Sequence, residues 1–441
     1  MFIPPIELCP LDEIARYQSE RLSETLQYLS ACSPFYQKFF KVHRIKPEAI
    51  KTVADLRLIP PVTKDDFAAY NDTFRCVPLK KIIDLTITSG TTGQPVTVGL
   101  TEADLQRLAY NEYISFCCAS ASEDDIFQLM VTLDRQFMAG MAYHLGVRKL
   151  GATMIRTGPG LPWMQLETIQ RLKPTVLIAV PSFLLKLIEF ARSNGFDLSN
   201  TSVKKVICIG ENIRQPDFSL NHLASRITEH WNIQLFSTYA STEMQTAFSE
   251  CEAGKGGHHH PELIIVELLD DQDNPVKPGE VGEVTITTLG IEATPLLRYK
   301  TGDITVYYDE PCSCGRHTLR LGPIIGRKNH MLKYKGTTLY PAAIMDLLNG
   351  MPEISDYAIE AYTSETGTDE ITLHLHATTE NPQLINRISN IMQSKLRVLP
   401  EIHFVAQDQL LALMKPEQNR KIQRFIDNRK KVVQTTERIN S

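Results

Sequence analysis

Residues Thr88 to Pro95 read TSGTTGQP, and the fold is read outward from them. Two glycines, Gly90 and Gly93, are interleaved with the hydroxyls of Ser89, Thr91 and Thr92. A loop of that composition has no bulky side chain, so its backbone N–H groups and hydroxyls can wrap a polyphosphate. Upstream, residues 82–88 (IIDLTIT) are rich in β-branched residues and predict a strand. Downstream, Thr101 and Asp104 have the spacing of a capping box for a helix starting at Glu102. A P-loop is excluded, because it needs Lys and then Ser or Thr straight after the last glycine, and Gln94 and Pro95 follow here. A Gly/Ser/Thr stretch is also the composition of an ordinary flexible loop, so its meaning depends on the rest of the chain.

At 441 residues the chain is too long for one small core and predicts a large domain with a smaller one. A hydrophobic content of 43% and a charged content of 22% are those of a globular protein. The net charge of −5 gives no electrostatic basis for binding nucleic acid or an anionic membrane, so small-molecule partners are expected. Nine cysteines without a signal peptide argue for a reducing compartment, hence a cytoplasmic protein without a disulfide framework. No apolar run reaches the roughly 18 residues of a membrane span.

Leu11 to Phe40 predicts two amphipathic helices broken at Pro34, and Leu56 to Lys64 (LRLIPPVTK) an extended, proline-stiffened lead-in. Between Asp125 and Pro181, strand-like runs (IFQLMVTL, ATMIRT, TVLIAVP) alternate with helical ones, as in a largely parallel sheet covered by helices. Two further strands are expected: residues 203–209, ending at Gly210-Glu211-Asn212, and residues 233–237, ending at Tyr239-Ala240-Ser241-Thr242-Glu243. Ligands of such sheets collect beyond the carboxyl ends of strands, so both ends are site candidates. From Glu262 short strands and turns predict a small β-structure that completes the large domain. The fold class is therefore α/β: residues 1–328 as a large domain with mostly parallel sheets plus β-structure, and residues 329–441 as a small α+β domain.

In that order, TSGTTGQP, YASTE, RYKTGD and GRKNHMLKYKG resemble the adenylate-forming enzymes, the superfamily of acyl-CoA synthetases, luciferases and peptide-synthetase adenylation domains. The finer likeness is to the phenylacetate-CoA ligase branch, through residues 137–153 (FMAGMAYHLGVRKLGAT), Glu250-Cys251 and the C-terminal RKIQRFID. The resemblance implies an acid-CoA ligase that activates a carboxylic acid, such as an aryl acid, with ATP and magnesium and passes it to CoA with release of AMP. It assigns the β- and γ-phosphates to Ser89, Gly90, Thr91, Thr92 and Gly93, with Thr91 catalytic. It assigns magnesium to Glu243, adenine to Gly210, Glu211, Asn212 and Tyr239 with Ala240, Ser241 and Thr242 alongside, and ribose to Asp303 with Arg327. It makes Lys421 the catalytic lysine, with Lys415, Lys430 and Lys431 as competitors, and it moves the small domain so that Lys333 to Pro341 approaches the acyl-adenylate. Departures from the family pattern are Ala240 for glycine, Asn329 for the hinge Asp or Lys, and Arg420 for the glycine before Lys421. Asp134, Arg135 and Gln136, ahead of the pocket segment, either point to solvent or signal a polar acid. A carrier-protein thiol is the alternative acceptor, and a silent nucleotide-binding protein with structural zinc is the alternative of another class. A homodimer is compatible with all of these.

Cys251, His258, Cys312 and Cys314 form a second constellation. Two thiolates one residue apart, with a Cys and a His about sixty residues earlier, are able to close a tetrahedral Cys₃His zinc site. The neighbours His259 and His260 leave the identity of the histidine open, and Cys117-Cys118 is read as core.

Overall fold

Pro34 divides the first helical run as its chemistry requires. Helix α1 (Leu11–Cys32) buries Ile14, Leu22, Leu26 and Leu29. Helix α2 (Pro34–Val42) restarts with proline where no N–H is needed, and the Ser33 hydroxyl accepts from the Tyr36 N–H. The computed structural model carrying these elements describes residues 2–88, 96–334, 337–364, 369–414 and 423–429. Ser89, Gly90, Thr91, Thr92, Gly93 and Lys421 lie outside the described residues, as do Lys415, Lys430 and Lys431. Contacts divide the chain into two compact units that part between Ile324 and Ile325.

In the first unit α3 (Lys64–Ala69) and α4 (Asn71–Phe74) precede the hairpin of β1 (Asp84–Ile87) and β2 (Thr97–Leu100). Helix α5 (Glu102–Cys118) begins with the expected capping box: Thr101 Oγ1 accepts from Asp104 N, and Asp104 Oδ2 accepts from Thr101 N. Next β3 (Ile126–Leu129), α6 (Met138–Leu150), β4 (Thr153–Arg156), α7 (Pro162–Leu172), β5 (Val176–Ala179), α8 (Pro181–Ser193), β6 (Lys205–Ile209), α9 (His222–His230) and β7 (Gln234–Ser241) alternate. Neighbours in the order β4-β3-β5-β6-β7 all pair in parallel. The central β5 reads VLIA and is buried throughout, as a strand covered on both faces must be. Both tryptophans lie in this part of the chain: buried Trp231 donates its indole N–H to Thr201 Oγ1 at 3.0 Å, and exposed Trp163 stands edge-on to Phe196.

The strands that follow extend the same sheet. They are β8 (Thr246–Ser249), β9 (Gly257–His258), β10 (Ile264–Leu269), β11 (Val281–Thr288), β12 (Tyr299–Tyr308) and β13 (Arg320–Leu321), and they continue it in the antiparallel order β7-β8-β9-β13-β12-β11-β10. Within this antiparallel part the sheet narrows to the two-residue strands β9 and β13. A Cβ on Gly257 would lie 2.6 Å from the Phe248 carbonyl oxygen, and one on Gly256, held at φ +95°, would lie 2.5 Å from that of Leu321. Glycine is required because three backbones converge there.

The second unit contains β14 (Gly326–Arg327), the hairpin strands β15 (Leu332–Tyr334) and β16 (Thr337–Leu339), and α10 (Pro341–Asn349). It continues with β17 (Ile354–Thr363), β18 (Asp369–Ala377), α11 (Pro382–Leu396), β19 (Glu401–Phe404), α12 (Gln407–Met414) and β20 (Phe425–Asp427). Its sheet runs β19-β18-β17-β20 with an antiparallel centre and parallel outer pairs. Ile344, Leu348, Ile388 and Met392 of α10 and α11 bury Ile359, Leu373 and Leu375 on one face. Leu410 and Met414 of α12 cover Ala358 on the other. Among the described residues no helix is long and apolar enough to cross a membrane.

One buried acid of α5 gives stability a pH dependence. Glu112 Oε1 accepts from Asn111 Nδ2 at 3.0 Å, while Oε2 is buried with no partner among the described residues. Burial pushes its pKa from 4.5 up to about 8. The folded protein therefore keeps a proton that the unfolded chain releases, and stability falls by up to about 1.4 kcal/mol per pH unit between those values. Glu112→Gln should flatten the decline of the unfolding midpoint between about pH 5 and pH 8; an undiminished decline would show that Glu112 is not its source.

Candidate active site and cysteine–histidine cluster

The tripeptide Thr301-Gly302-Asp303 lies in β12, and the register with β11 shows its effect. Between Glu283 and Thr285 β11 advances two residues while β12 advances four, from Lys300 to Ile304, so the tripeptide bulges. Gly302 has φ +81° and a Cβ there would meet nothing within 4 Å, so glycine is needed for the backbone angle and not for space. The bulge aims Asp303, 7% exposed, at β7. Tyr239 Oη donates to Asp303 Oδ2 at 2.8 Å.

Tyr239 stands within a strand, not beyond one. The strand expected to end at Ser237 runs on to Ser241 because β8 pairs with its last turn: Tyr239 faces Phe248, Ala240 faces Ala247 and Ser241 faces Thr246. Ser241 Oγ then accepts from Met244 N at 3.3 Å, closing the turn that carries Thr242 and Glu243. The Glu243 carboxylate lies 3.7 Å from Lys64 Nζ. Lys64 arrives there by a route the sequence showed only in part. Val53–Leu58 is a 3₁₀ helix instead of extended chain, but Val62 beyond it pairs with the start of β12, donating to the Arg298 carbonyl and accepting from Lys300 N. Nearby, Tyr299 Oη is buried with no hydrogen-bond partner among the described residues. Burial and the carboxylates of Glu243 and Asp303 hold the Tyr299 phenol well above its ordinary value. The first unit thus gathers two carboxylates, a lysine, an aromatic face and one unsatisfied hydroxyl, a set of groups suited to a sugar and a charged phosphate chain.

Gly210 ends β6. The next side chain, Glu211, accepts from both the N–H and the hydroxyl of Ser182 at 2.8 Å, so its carboxylate caps the start of α8. The Asn212 amide closes a turn on Arg214, and its carbonyl accepts from Asn221 Nδ2 at 2.7 Å. Asp134, Arg135 and Gln136 are exposed, which answers the question of their polarity in favour of solvent. In the second unit Arg327 lies in β14, and Lys333 in β15 has an exposed side chain while its N–H donates to Asp369 Oδ2 at 2.7 Å.

The four cysteine and histidine residues converge. Their ligand atoms all lie within 4.8 Å of one another. Cys251 Sγ is 3.6 Å from Cys312 Sγ, and His258 Nε2 is 3.4 Å from Cys251 Sγ and 3.5 Å from Cys314 Sγ. The histidine is His258: His259 faces the Ile264 carbonyl, and His260 Nδ1 faces the Glu7 carboxylate at 2.5 Å. The hydrogen bond to His258 lowers the Cys312 thiol pKa, and the one to Cys251 lowers that of Cys314. Beneath them Glu7, buried in the N-terminal turn, binds Arg316 at 2.6 Å, and Arg214 holds buried Glu250 at 3.1 Å. Neither the Glu7–Arg316 nor the Arg214–Glu250 pair is signalled by local sequence, because they span 309 and 36 residues. Cys118 is buried as expected, packed against Cys251 and Cys312.

Comparison with known proteins adds the following. A family model described as AMP-binding enzyme matches residues 17–292, and one described as AMP-binding enzyme C-terminal domain matches residues 336–429. A phenylacetate-coenzyme A ligase of Thermus thermophilus is 30% identical, over 80% of this chain and 79% of its own. One of Escherichia coli is 29% identical, over 78% of this chain and 77% of its own. Among solved structures, a 2-hydroxyisobutyryl-CoA ligase in the postadenylation state superposes with TM-score 0.83 at 23% identity, covering 97% of this chain and 94% of its own. That likeness shows a shared fold.

The bulge can be tested on its own. Gly302→Ala should cost about 1–2 kcal/mol, the left-handed backbone penalty, and release Asp303 from Tyr239. Unchanged thermal stability would show that the bulge relaxes without it.

Proposed function

We infer that this chain, which belongs to the AMP-binding enzyme family, is an ATP-dependent acid–CoA ligase that makes an acyl-adenylate and then a thioester. The observation that carries the reading is the Tyr239–Asp303 hydrogen bond, which sets an aromatic face and a carboxylate side by side next to Glu243 and the unsatisfied Tyr299 hydroxyl. One carboxylate offers two oxygens to a vicinal diol, so Asp303 accepts the ribose hydroxyls, and Tyr239 keeps it oriented. Tyr239 offers its face to adenine. Since the side chains of Glu211 and Asn212 are committed to Ser182 and Arg214, Gly210-Glu211-Asn212 meets the base through its backbone.

Adenylation has to bring a carboxylate to a phosphate of the same charge, so the site must neutralise charge and align the reactants. Ser89, Gly90, Thr91, Thr92 and Gly93 would hold the β- and γ-phosphates, and Glu243 would hold magnesium. Magnesium prefers one or two carboxylates together with phosphate oxygens, a demand that a single part-buried glutamate meets, and it supplies charge neutralisation there. The ion pair of Lys64 with Glu243, at 3.7 Å, is loose enough for a phosphate to displace. Arg327 adds a ribose or phosphate contact and Lys421 bridges the reacting oxygens. The carboxylate oxygen bonds to the α-phosphorus as pyrophosphate leaves; the CoA thiolate then attacks the acyl carbon and AMP leaves. For the second step the C-terminal domain turns, withdrawing Lys421 and bringing residues 333–341 in. An arylacetic acid is the proposed substrate, on the likeness to phenylacetate-coenzyme A ligases. All nine cysteines are free thiols, in keeping with the cytoplasm.

We assign Cys251, His258, Cys312 and Cys314 to a structural zinc. Zn–S bonds of about 2.3 Å and a Zn–N bond of about 2.0 Å at tetrahedral angles require S···S near 3.8 Å and S···N near 3.5 Å. The separations of 3.6, 3.4 and 3.5 Å already stand close to that. Four protein ligands leave no open position, so the metal would hold structure and take no part in catalysis.

Two experiments follow. Acid-dependent ATP–pyrophosphate exchange across aryl and short acyl acids, repeated with CoA, should give exchange and then thioester and AMP, arylacetic acids being fastest; ATP binding without exchange would reject the ligase, and exchange without CoA turnover would make the acceptor a carrier-protein thiol. Elemental analysis should find about one zinc per chain, lost in Cys312→Ser. A stable, metal-free wild type would return the cysteines to the core.

A further inference from the structure

Arg429, just past β20, uses every donor it has. Its Nε donates to Asp427 Oδ1 and a terminal nitrogen donates to Asp427 Oδ2, both at 2.8 Å, a two-toothed fork on one carboxylate. That terminal nitrogen also donates to the Asn329 carbonyl at 2.8 Å. The other donates to the Met331 carbonyl at 2.7 Å and to Asp369 Oδ2 at 3.2 Å. A guanidinium has five N–H groups, and each has its own acceptor here. The side chain is only 14% exposed.

These acceptors lie on three separate pieces of the second unit. Asn329 and Met331 belong to the stretch by which the chain enters it. Asp369 opens β18, and its Oδ2 also accepts from the Lys333 N–H, so it reaches into the β15–β16 hairpin. Asp427 closes β20, where Phe425 packs against the His330 ring at 4.9 Å between centroids. Burial alone would raise the Asp427 pKa, but the hydrogen bonds and charge of Arg429 outweigh it and keep the carboxyl below its ordinary value.

We propose that Arg429 is a positioning residue for both half-reactions, joining residues 329–331, the β15–β16 hairpin and β20 into one body. The proposal rests on the ligase reading. β20 follows Lys421 in the chain, and the hairpin belongs to the segment assigned to the thioester step, so the element for one step cannot move without the element for the other. With its carbonyl held by Arg429, Asn329 is fixed to the second unit on its C-terminal side only, so its own φ and ψ stay free to turn. Lysine cannot replace the clasp, since one ammonium cannot grip a carboxylate in two places and also reach two carbonyls and a second acid.

The test measures the two half-reactions separately in the full chain: acid-dependent ATP–pyrophosphate exchange, and thioester formation from supplied acyl-adenylate and CoA. Arg429→Ala should slow each by about tenfold or more, the scale on which a misplaced group costs rate. The KM for ATP should stay within about twofold of wild type, because Tyr239 and Asp303 lie in the first unit. Arg429→Lys should fall between the two. Unchanged rates in Arg429→Ala overturn the proposal, and so does a loss of ATP affinity in step with rate, the signature of general unfolding. Should that variant fail to fold, Asp427→Asn removes the charge but keeps the shape and is held to the same split. A wild type that runs neither half-reaction with any acid would reject the ligase reading itself, and Arg429's role with it; a working wild type matched by Arg429→Ala would reject the positioning role alone.

Discussion

The Tyr239–Asp303 hydrogen bond joins two strands that are far apart in their own sheet. β8, β9 and β13 separate β7 from β12. Four strand spacings of about 4.8 Å would put them about 19 Å apart in a flat sheet, beyond the reach of a tyrosine and an aspartate. The contact therefore requires the sheet to bend, and the seam at Gly256, Gly257 and His258 is where the backbones crowd together. The candidate site is a product of that curvature: the parallel half supplies Tyr239 and Glu243, and the antiparallel half supplies Asp303 and, through its pairing with Val62, Lys64.

The same seam carries the cysteine–histidine cluster. Cys251 follows β8, His258 lies in β9, and Cys312 and Cys314 lie between β12 and β13, so the four residues gather where the sheet's own pairing is shortest. Glu7 and Arg316 are packed below it as a buried ion pair, with His260 on the same carboxylate. Removing one partner from such a group typically costs about 3–5 kcal/mol. A turn near the N-terminus thus bears on a junction formed more than 250 residues later.

How much of this the sequence revealed follows from the range of each interaction. The capping box of Thr101 and Asp104, the break at Pro34 and the alternation of strands and helices were legible, because each depends on neighbours a few residues away. The order of motifs pointed to Asp303, Tyr239 and Glu243 without showing that the first two touch. The extension of β7 to Ser241 has no local signal because it depends on pairing with β8, and the lead-in reads as extended although Thr52 and Asp55 cap a 3₁₀ helix there. Glu211 looked like a ligand residue, yet its carboxylate is engaged by a serine 29 residues earlier. Lys64 and Arg429 had no local signal. The choice among three adjacent histidines needed coordinates, since only strand register decides which ring faces the sulfurs.

The placement of the two tryptophans has a practical consequence. Trp163 and Trp231 both lie in the first unit, one exposed and one buried, and the second unit has none. Intrinsic indole emission therefore follows the melting of the first unit alone and would register a protein as folded while its other unit had already opened. Tryptophan reports of unfolding on this chain describe one of its two units, and a phenol or a backbone signal is needed to see the other.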